Sequence, residues 1–128
     1  MLAINSDVNG FVYDSVQKEF ILSHPKIKAA SRAGIISIDT SKEAAWEPHV
    51  KIFLTRRYAR KDKKQSVRYT GSIIADAHRT LLYGGILMYP LTVPGFDGDV
   101  SLIEAFILGY IFEKAWGRAS SGEGGSIS

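Results

Sequence analysis

Apolar and polar residues alternate in short runs along the first forty positions, and this pattern predicts β-strands. The runs GFVYD (10–14) and EFILS (19–23) are rich in Phe, Val, Ile and Tyr, and the polar SVQK separates them. Such a pair is typical of a β-hairpin. A third run, GIISI (34–38), begins with glycine and is followed by polar residues, so it predicts one further strand.

From Ser41 the apolar positions take a helical spacing. The apolar residues that show this spacing are Ala44, Ala45, Val50, Phe53 and Leu54. Ser41 with Lys42 and Glu43 makes a plausible helix start, and Pro48 is expected to interrupt or restart the helix. The charged stretch RKDKKQS (60–66) is predicted to be a loop.

A second helix is predicted over 69–83, and its end is marked by Gly84 and Gly85. Its apolar stripe consists of Ile73, Ile74, Ala77, Leu81 and Leu82. A short buried strand over 86–89 and a Gly/Pro loop over 91–99 should follow. The apolar run from Ser101 to Gly117 predicts a buried helix. This order of elements indicates an α/β fold in which a mixed sheet is covered by helices as a layered sandwich.

Length and composition narrow the class of protein. At 128 residues, 45% of them hydrophobic and 23% charged, the chain fits one soluble globular domain. The absence of cysteine excludes disulfides, thiolate metal sites and a cysteine nucleophile. No signal peptide is evident and no apolar run is long enough to cross a bilayer, so we expect a cytoplasmic protein without a membrane partner. The domain is expected to cover residues 1–122, and the Gly/Ser-rich 123–128 to be a flexible tail.

The net charge of +3 is concentrated between residues 51 and 68, where eight Lys and Arg residues stand against Asp62 alone. This cluster is either a solvated helix end and loop or a surface that attracts phosphates. Nucleic-acid binding is the weaker hypothesis, because the stretch has few aromatic residues for base stacking and matches no standard module. We therefore expect no nucleic-acid partner.

The segment ADAHRT (75–80) carries several residue types that occur in active sites. Asp76 and Arg79 are three positions apart and are predicted to pair on the helix surface. His78 follows Ile74 by four positions, so it is predicted to be a packing residue on the core-facing side. One His and one Asp do not make a metal site, and no serine lies in a nucleophile elbow. We expect this segment to be scaffold, with no catalytic residue in the chain.

Two other positions are stronger candidates for chemistry. Glu104 is the only charge between Leu102 and Phe112, so it requires a cation, a wet cleft, a surface position or the positive end of its helix. Arg68 and Tyr69 precede Gly71 and Ser72 at a helix start. An arginine, a tyrosine hydroxyl and free backbone N–H groups are ingredients of a phosphate site, although an ordinary exposed arginine is the alternative.

The stretch RYTGSIIADAHRTLLYGGILMYP (68–90) resembles a block of class I fructose-1,6-bisphosphatases, R-Y-x-G-S-x-x-A-D-x-H-R-T-L-x-Y-G-G-I-x-x-Y-P. Sedoheptulose-1,7-bisphosphatases carry a related block. The flanks VNGFVYDSVQKEFIL (8–22) and EKAWGRASSG (113–122) are similar to further motifs of the family. The resemblance covers nearly the whole chain.

The resemblance implies a sugar-bisphosphate phosphatase with the inositol-phosphatase-like fold. Such an enzyme uses two or more Mg²⁺ ions to hydrolyse the 1-phosphate of fructose 1,6-bisphosphate and works as a homotetramer. The match assigns Arg68 to the 6-phosphate in a neighbouring subunit. It assigns Tyr69 and Tyr89 to the same phosphate and the sugar, and Glu104 to a metal ion.

Departures from the family pattern bear on activity. Where the family has S-I-N-E-G-Y, this chain has SIDTSK (37–42), so Asp39 and Lys42 replace two phosphate-binding residues. The lysine that precedes the metal-binding glutamate is missing from DGDVSLIE (97–104), and the acidic D-P-x-D-G-S metal motif is absent. We expect a portion of the enzyme that is inactive alone. The alternatives are a degenerate module that binds a sugar phosphate or a full-length partner without turnover, and a sedoheptulose enzyme, although GGILMYP (84–90) is nearer the fructose enzymes.

Overall fold

Three antiparallel strands open the chain. The computed structural model describes residues 2–5, 7–30, 34–60, 64–90 and 101–122. Strands β1 (Leu2–Ile4), β2 (Val8–Asp14) and β3 (Glu19–Ile27) pair in the order β1-β2-β3. The predicted hairpin is confirmed, with Asp14 opposite Glu19 and the Asp14 Oδ1 accepting from the Val16 N–H at 2.7 Å across the turn. Strand β1 was not predicted.

A second sheet consists of three short parallel strands. Strand β4 (Ile35–Ser37) lies between β5 (Ser66–Val67) and β6 (Ile86–Leu87). The strands predicted at 34–38 and 86–89 are confirmed in shorter form. Strand β5 falls at the end of the predicted charged loop, whose residues 61–63 lie outside the described part. At two residues β5 is too short to show an alternating pattern.

Three α-helices and one 3-10 helix complete the described chain. The 3-10 helix (Thr40–Ala45) precedes α1 (Pro48–Tyr58), which Pro48 begins as expected of a proline in the first helical turn. Helices α2 (Ile73–Tyr83) and α3 (Leu102–Lys114) follow. Gly84 and Gly85 end α2 with φ of 80° and 121°, as predicted. A side chain at position 85 would also lie 2.4 Å from the Ile35 carbonyl oxygen, so only glycine fits there.

The core has two parts. One buried cluster joins β4 and the residue after it to α1, and it comprises Ile36, Ile38, Trp46, Val50 and Leu54. The other joins the antiparallel sheet to α2 and the end of α3, and it comprises Val8, Ile27, Leu81 and Ala115. Sheets covered by helices confirm the predicted α/β class.

Helix α2 turns a different face inward from the one predicted. The predicted surface position of the Asp76–Arg79 pair is wrong, because Asp76 has 0% exposure. Ile74 is 57% exposed and His78 is also exposed, so the predicted core position of His78 is wrong too. Asp76 can be buried because Arg79 neutralises it, and this polar contact outweighs the apolar spacing of the helix.

Helix α3 differs from the fully buried helix that its composition predicts. Only Leu108 and Gly109 within it are buried. Five large side chains are 50% or more exposed: Leu102, Ile103, Phe106, Ile107 and Tyr110. We call these five residues the α3 apolar face. None of the described helices is long and apolar enough to cross a membrane. The predicted loop at 91–99 and tail at 123–128 lie outside the described residues.

Candidate functional site

The candidate site is built around residues 68–70, which follow β5 and precede the start of α2. The Arg68 N–H donates to the Ile36 carbonyl at 2.9 Å and so continues the pairing of β5 with β4. At the other end, the Thr70 N–H donates to Asp76 Oδ2 at 3.1 Å. This is why α2 begins at Ile73 and not at Tyr69 as predicted. Ser72 then serves as the N-cap, its hydroxyl accepting from the Ala75 N–H at 3.4 Å.

The carbonyl of Arg68 is the meeting point of a polar cluster. It accepts from Ser37 Oγ at 2.7 Å and from Arg79 Nη2 at 2.7 Å. Arg79 Nη2 also lies 2.6 Å from Asp76 Oδ1 and donates to Ser37 Oγ. The side chains of Ser37 and Asp76 are fully buried, and 19% of the Arg79 side chain is exposed. The main chain at 68–70 is therefore fastened to both β4 and α2.

The side chains of Arg68 and Tyr69, in contrast, are exposed. Together with Thr70 and Arg79 they line a shallow depression of about 390 Å³, bounded on one side by Ser66 and Val67. The depression presents the Arg68 guanidinium and hydroxyl donors, and it has no carboxylate among its lining residues. The Arg79 guanidinium also lines it but is already paired with Asp76. Such a set favours an anion, and charge-assisted hydrogen bonds from arginine suit phosphate oxygens.

Tyr89 lies beside Tyr69. The two ring centroids are 6.4 Å apart and the rings are inclined at 56°. The Met88 N–H donates to the Ser37 carbonyl at 2.9 Å, which places the segment carrying Tyr89 against the same strand that holds Arg68. Burial, followed by the neighbouring phenol of Tyr69 and the carboxylates of Asp76 and Asp39, raises the pKa of Tyr89 to about 12. Tyr89 is therefore a neutral phenol near pH 7, able to donate a hydrogen bond.

Asp39 and Lys42 occupy the 3-10 helix that follows β4. Asp39 caps this helix, its Oδ1 accepting from the Ser41 N–H at 3.1 Å and from Ser41 Oγ at 2.6 Å. Its negative charge is one of the smaller causes of the raised pKa of Tyr89. Lys42 lies within the 3-10 helix and is partly buried. It does not line the depression formed by Arg68 and Tyr69.

Glu104 lies in the first turn of α3 and is exposed. Its Oε2 accepts from the Ser101 N–H at 3.2 Å, one half of the capping arrangement found at helix starts. Within the described residues no group of three or more His, Cys, Asp or Glu side chains comes together. Among the described residues Glu104 is therefore not part of a cluster of metal-ligating side chains.

Three residues of the polar cluster were missed as site components by sequence reasoning. Ser37 was treated as part of a strand, and Asp76 and Arg79 as a surface pair. Their spacing shows that Asp76 and Arg79 can meet, but the partners that matter are the Arg68 carbonyl and the Thr70 N–H, which belong to another element. An acid followed three positions later by arginine, just after an extended R-Y-T segment, is the signal that could have suggested this contact.

Comparisons with known proteins agree on one family. The model of the family described as "Fructose-1-6-bisphosphatase, C-terminal domain" matches residues 29–127. The chain is 37% identical to the cytosolic fructose-1,6-bisphosphatase of Beta vulgaris over 126 residues, which cover 96% of this chain and 37% of that protein. It is 36% identical to the fructose-1,6-bisphosphatase of Kluyveromyces lactis over 132 residues, covering 99% of this chain and 37% of that protein.

Solved structures give the same result. The holo form of Leishmania major fructose-1,6-bisphosphatase superposes with a TM-score of 0.88 and 37% identity, over 95% of this chain and 37% of that chain. Its apo form gives a TM-score of 0.87. The chain thus spans about 37% of the length of the curated relatives it matches.

Proposed function

The chain belongs to the fructose-1,6-bisphosphatase C-terminal domain family, and we propose that it supplies the sugar-phosphate side of an active site that hydrolyses the 1-phosphate of fructose 1,6-bisphosphate. The products are fructose 6-phosphate and free phosphate. The observation that carries this proposal is the segment 68–70, whose main chain is held on both sides while Arg68 and Tyr69 remain exposed next to the neutral phenol of Tyr89.

In this proposal the residues of the chain bind the phosphate that does not react. The Arg68 guanidinium forms charge-assisted hydrogen bonds with the 6-phosphate, and the neutral hydroxyls of Tyr69 and Tyr89 donate to the phosphate and the sugar. Holding the far end of the substrate converts binding energy into orientation of the reacting end. Arg68 does this for a neighbouring subunit of a homotetramer.

Hydrolysis itself requires groups that the described residues do not assemble. Mg²⁺, when bound, supplies an activated water and neutralises charge on the transferring phosphoryl group. Glu104 would contribute to binding the ion. Because no metal-binding group of three or more side chains forms among the described residues, we expect the chain alone to be inactive. We propose a cytosolic location, as in the relatives named cytosolic.

Contact with another polypeptide surface is supported by the apolar side chains that the described fold leaves uncovered. The α3 apolar face is one such surface, and the hairpin adds Val12, Val16, Phe20 and Leu22. Patches of this kind on soluble proteins mark interaction sites. They are consistent with packing against further phosphatase segments or subunits.

A second candidate function is binding of a sugar phosphate without turnover. It is favoured by Asp39, whose carboxylate acts on Tyr89 and would repel a phosphate at the tyrosine side. Fructose compounds are proposed over sedoheptulose compounds because the chain is similar to proteins named fructose-1,6-bisphosphatase.

Calorimetry with fructose 6-phosphate tests the proposal on the purified chain. We expect measurable binding that Arg68→Met weakens by about ten- to a hundredfold, since one charge-assisted hydrogen-bond pair contributes about 1.5–3 kcal/mol. Arg56→Met removes the same charge from an exposed position on α1 and should leave the affinity within about twofold.

Phosphate release from fructose 1,6-bisphosphate with Mg²⁺ is measured alongside. No release is expected from the chain alone. Release by the chain would contradict its inactivity, equal losses in the two arginine variants would contradict a specific site, and no binding by the unmodified chain would contradict the proposed function.

A further inference from the structure

Most side-chain hydrogen bonds of the Asp76–Arg79 pair are made with residues outside α2, the helix that carries the pair. Arg79 Nη2 donates to the Arg68 carbonyl and to Ser37 Oγ, and Asp76 Oδ2 accepts from the Thr70 N–H. Apart from the bond between Asp76 and Arg79, none of these contacts supports α2. Among the described residues Arg79 Nε has no hydrogen-bond partner, and all three of these contacts are made by Nη2.

We propose that Asp76 and Arg79 are positioning residues of the phosphate-binding segment. They hold the peptide groups of 68–70 in the conformation that presents Arg68 and Tyr69 to the sugar phosphate, without touching the ligand themselves. The inference rests on the proposed function and adds two residues that the sequence assigned to scaffold.

Stability alone does not account for this pair. Buried ion pairs are often replaced by apolar side chains of similar volume without loss of stability, so their burial is weak support for the fold. The hydrogen-bond pattern gives the pair another role, since it fixes the carbonyl before Tyr69 and the amide after it. A segment fixed in advance loses less conformational entropy when the ligand binds.

The position of Arg79 decides between positioning and direct contact. Its side chain lines the depression, yet Nη2 already lies between Asp76 Oδ1, Ser37 Oγ and the Arg68 carbonyl. The Arg68 side chain, in contrast, is exposed and makes no side-chain hydrogen bond within the described part of the chain. Arg68 is therefore the ligand-binding arginine, and Arg79 holds its backbone.

The test uses the full chain and the double variant Asp76→Leu/Arg79→Met, which keeps apolar bulk in place of the ion pair. Thr80→Val is the matched control, because Thr80 is buried on the same helix and its hydroxyl donates only to the Asp76 main-chain carbonyl, at 2.8 Å. Single Asp76→Asn and Arg79→Lys variants are added, so that the result does not depend on one variant folding. Three quantities are measured: hydrogen exchange of the Thr70 amide, affinity for fructose 6-phosphate, and the urea midpoint.

In the double variant we expect the Thr70 amide to exchange at least about tenfold faster, since it loses its buried acceptor, while the Leu81 amide stays protected. Affinity for fructose 6-phosphate should fall about tenfold, roughly the cost of ordering one residue of backbone. Thr80→Val should change neither quantity. Arg68→Met should abolish most of the affinity and leave Thr70 exchange as in the unmodified chain.

Unchanged Thr70 exchange in the double variant would overturn the inference, and so would faster exchange with unchanged affinity. A loss of Leu81 protection together with affinity would assign the pair to the fold and also overturn it. If the unmodified chain does not bind fructose 6-phosphate, the proposed function fails. In that case the Thr70 exchange of the variants still decides whether the pair holds the segment.

Discussion

Replacing Leu81 by alanine should destabilise the chain far more than the same change at Leu102. Leu81 is 1% exposed and belongs to the cluster that joins the antiparallel sheet to α2 and α3. Leucine-to-alanine changes at buried sites cost about 2–5 kcal/mol, of which part is lost transfer free energy and part is the cavity left behind. We place Leu81→Ala in the upper half of that range, because its neighbours come from three different elements that cannot close the cavity together.

The Leu102 side chain is mostly exposed to solvent, so the same truncation should cost little. This side chain is 71% exposed, so less than a third of its surface is buried. At about 0.8 kcal/mol for each fully buried methylene, removal costs well under 1 kcal/mol. Alanine also has the slightly higher helix propensity, which offsets part of that loss. The expected net change for Leu102→Ala is within about 0.5 kcal/mol.

Urea unfolding followed by circular dichroism and tryptophan fluorescence measures both variants, and it is repeated at two protein concentrations. A difference of less than about 1 kcal/mol between them would refute the placement of Leu81 at the junction of the core. A large cost for Leu102→Ala that grows with protein concentration would show that the α3 apolar face is covered in solution by another chain.

Four further predictions each concern a single residue. The pKa of Tyr89 in the folded protein, about 12, lies above its ordinary value of 10.0. The stabilisation linked to this difference is therefore complete below pH 10 and is lost as the pH rises to about 12. When the urea midpoint is measured at increasing alkaline pH, Tyr89→Phe should show a smaller decline than the unmodified chain. Trp46→Ala should cost about 3–5 kcal/mol because the side chain is 6% exposed in the core. Trp116→Gly should stay within about 1 kcal/mol in the same assay, since relief of the left-handed backbone (φ 67°) offsets the lost contact with the Lys28 ammonium. Glu104→Gln should leave the urea midpoint unchanged when a chelator removes metal ions, because the glutamine oxygen still accepts from the Ser101 N–H. Glu104→Ala loses this contact and should lower the free energy of unfolding by about 0.5–1 kcal/mol. Equal losses in the two variants would contradict the capping role.

The elements that sequence reasoning found are those whose signals are local. The alternation in β2 and β3, the first-turn position of Pro48 and the glycines after α2 depend on near neighbours in the chain. Strand β5 was missed because it is defined by its pairing with β4, in which the Ser66 N–H donates to the Gly34 carbonyl at 2.7 Å and the Arg68 N–H to the Ile36 carbonyl at 2.9 Å. Pairing between distant segments leaves no periodic trace in two residues.

The buried face of α2 was also predicted wrongly because it depends on residues distant in the sequence. Its apolar stripe predicted that Ile74 would be buried, but Asp76 takes the buried position because Arg79 and the Thr70 N–H are available to it. The cost of burying a carboxylate depends on partners, and spacing along one helix does not reveal a partner on another segment. Arg68, Tyr69 and Glu104 were candidates from residue type and position, whereas Tyr89 and the specific roles of all four residues came from resemblance to a family. Their roles remain predictions.

Strand β4 links the core to the candidate site. Its Ile36 side chain is fully buried against α1, while its Ile36 carbonyl and Ser37 hydroxyl bind the main chain of Arg68, and its Ser37 carbonyl accepts from the Met88 N–H. One three-residue strand thereby sets the distance between the segment carrying Arg68 and Tyr69 and the segment carrying Tyr89. The two tyrosine rings come within 6.4 Å of each other because β5 and β6, which precede them in the chain, are both parallel neighbours of β4. A phosphate site assembled in this way depends on backbone pairing for its spacing and on the Asp76–Arg79 pair for its local shape.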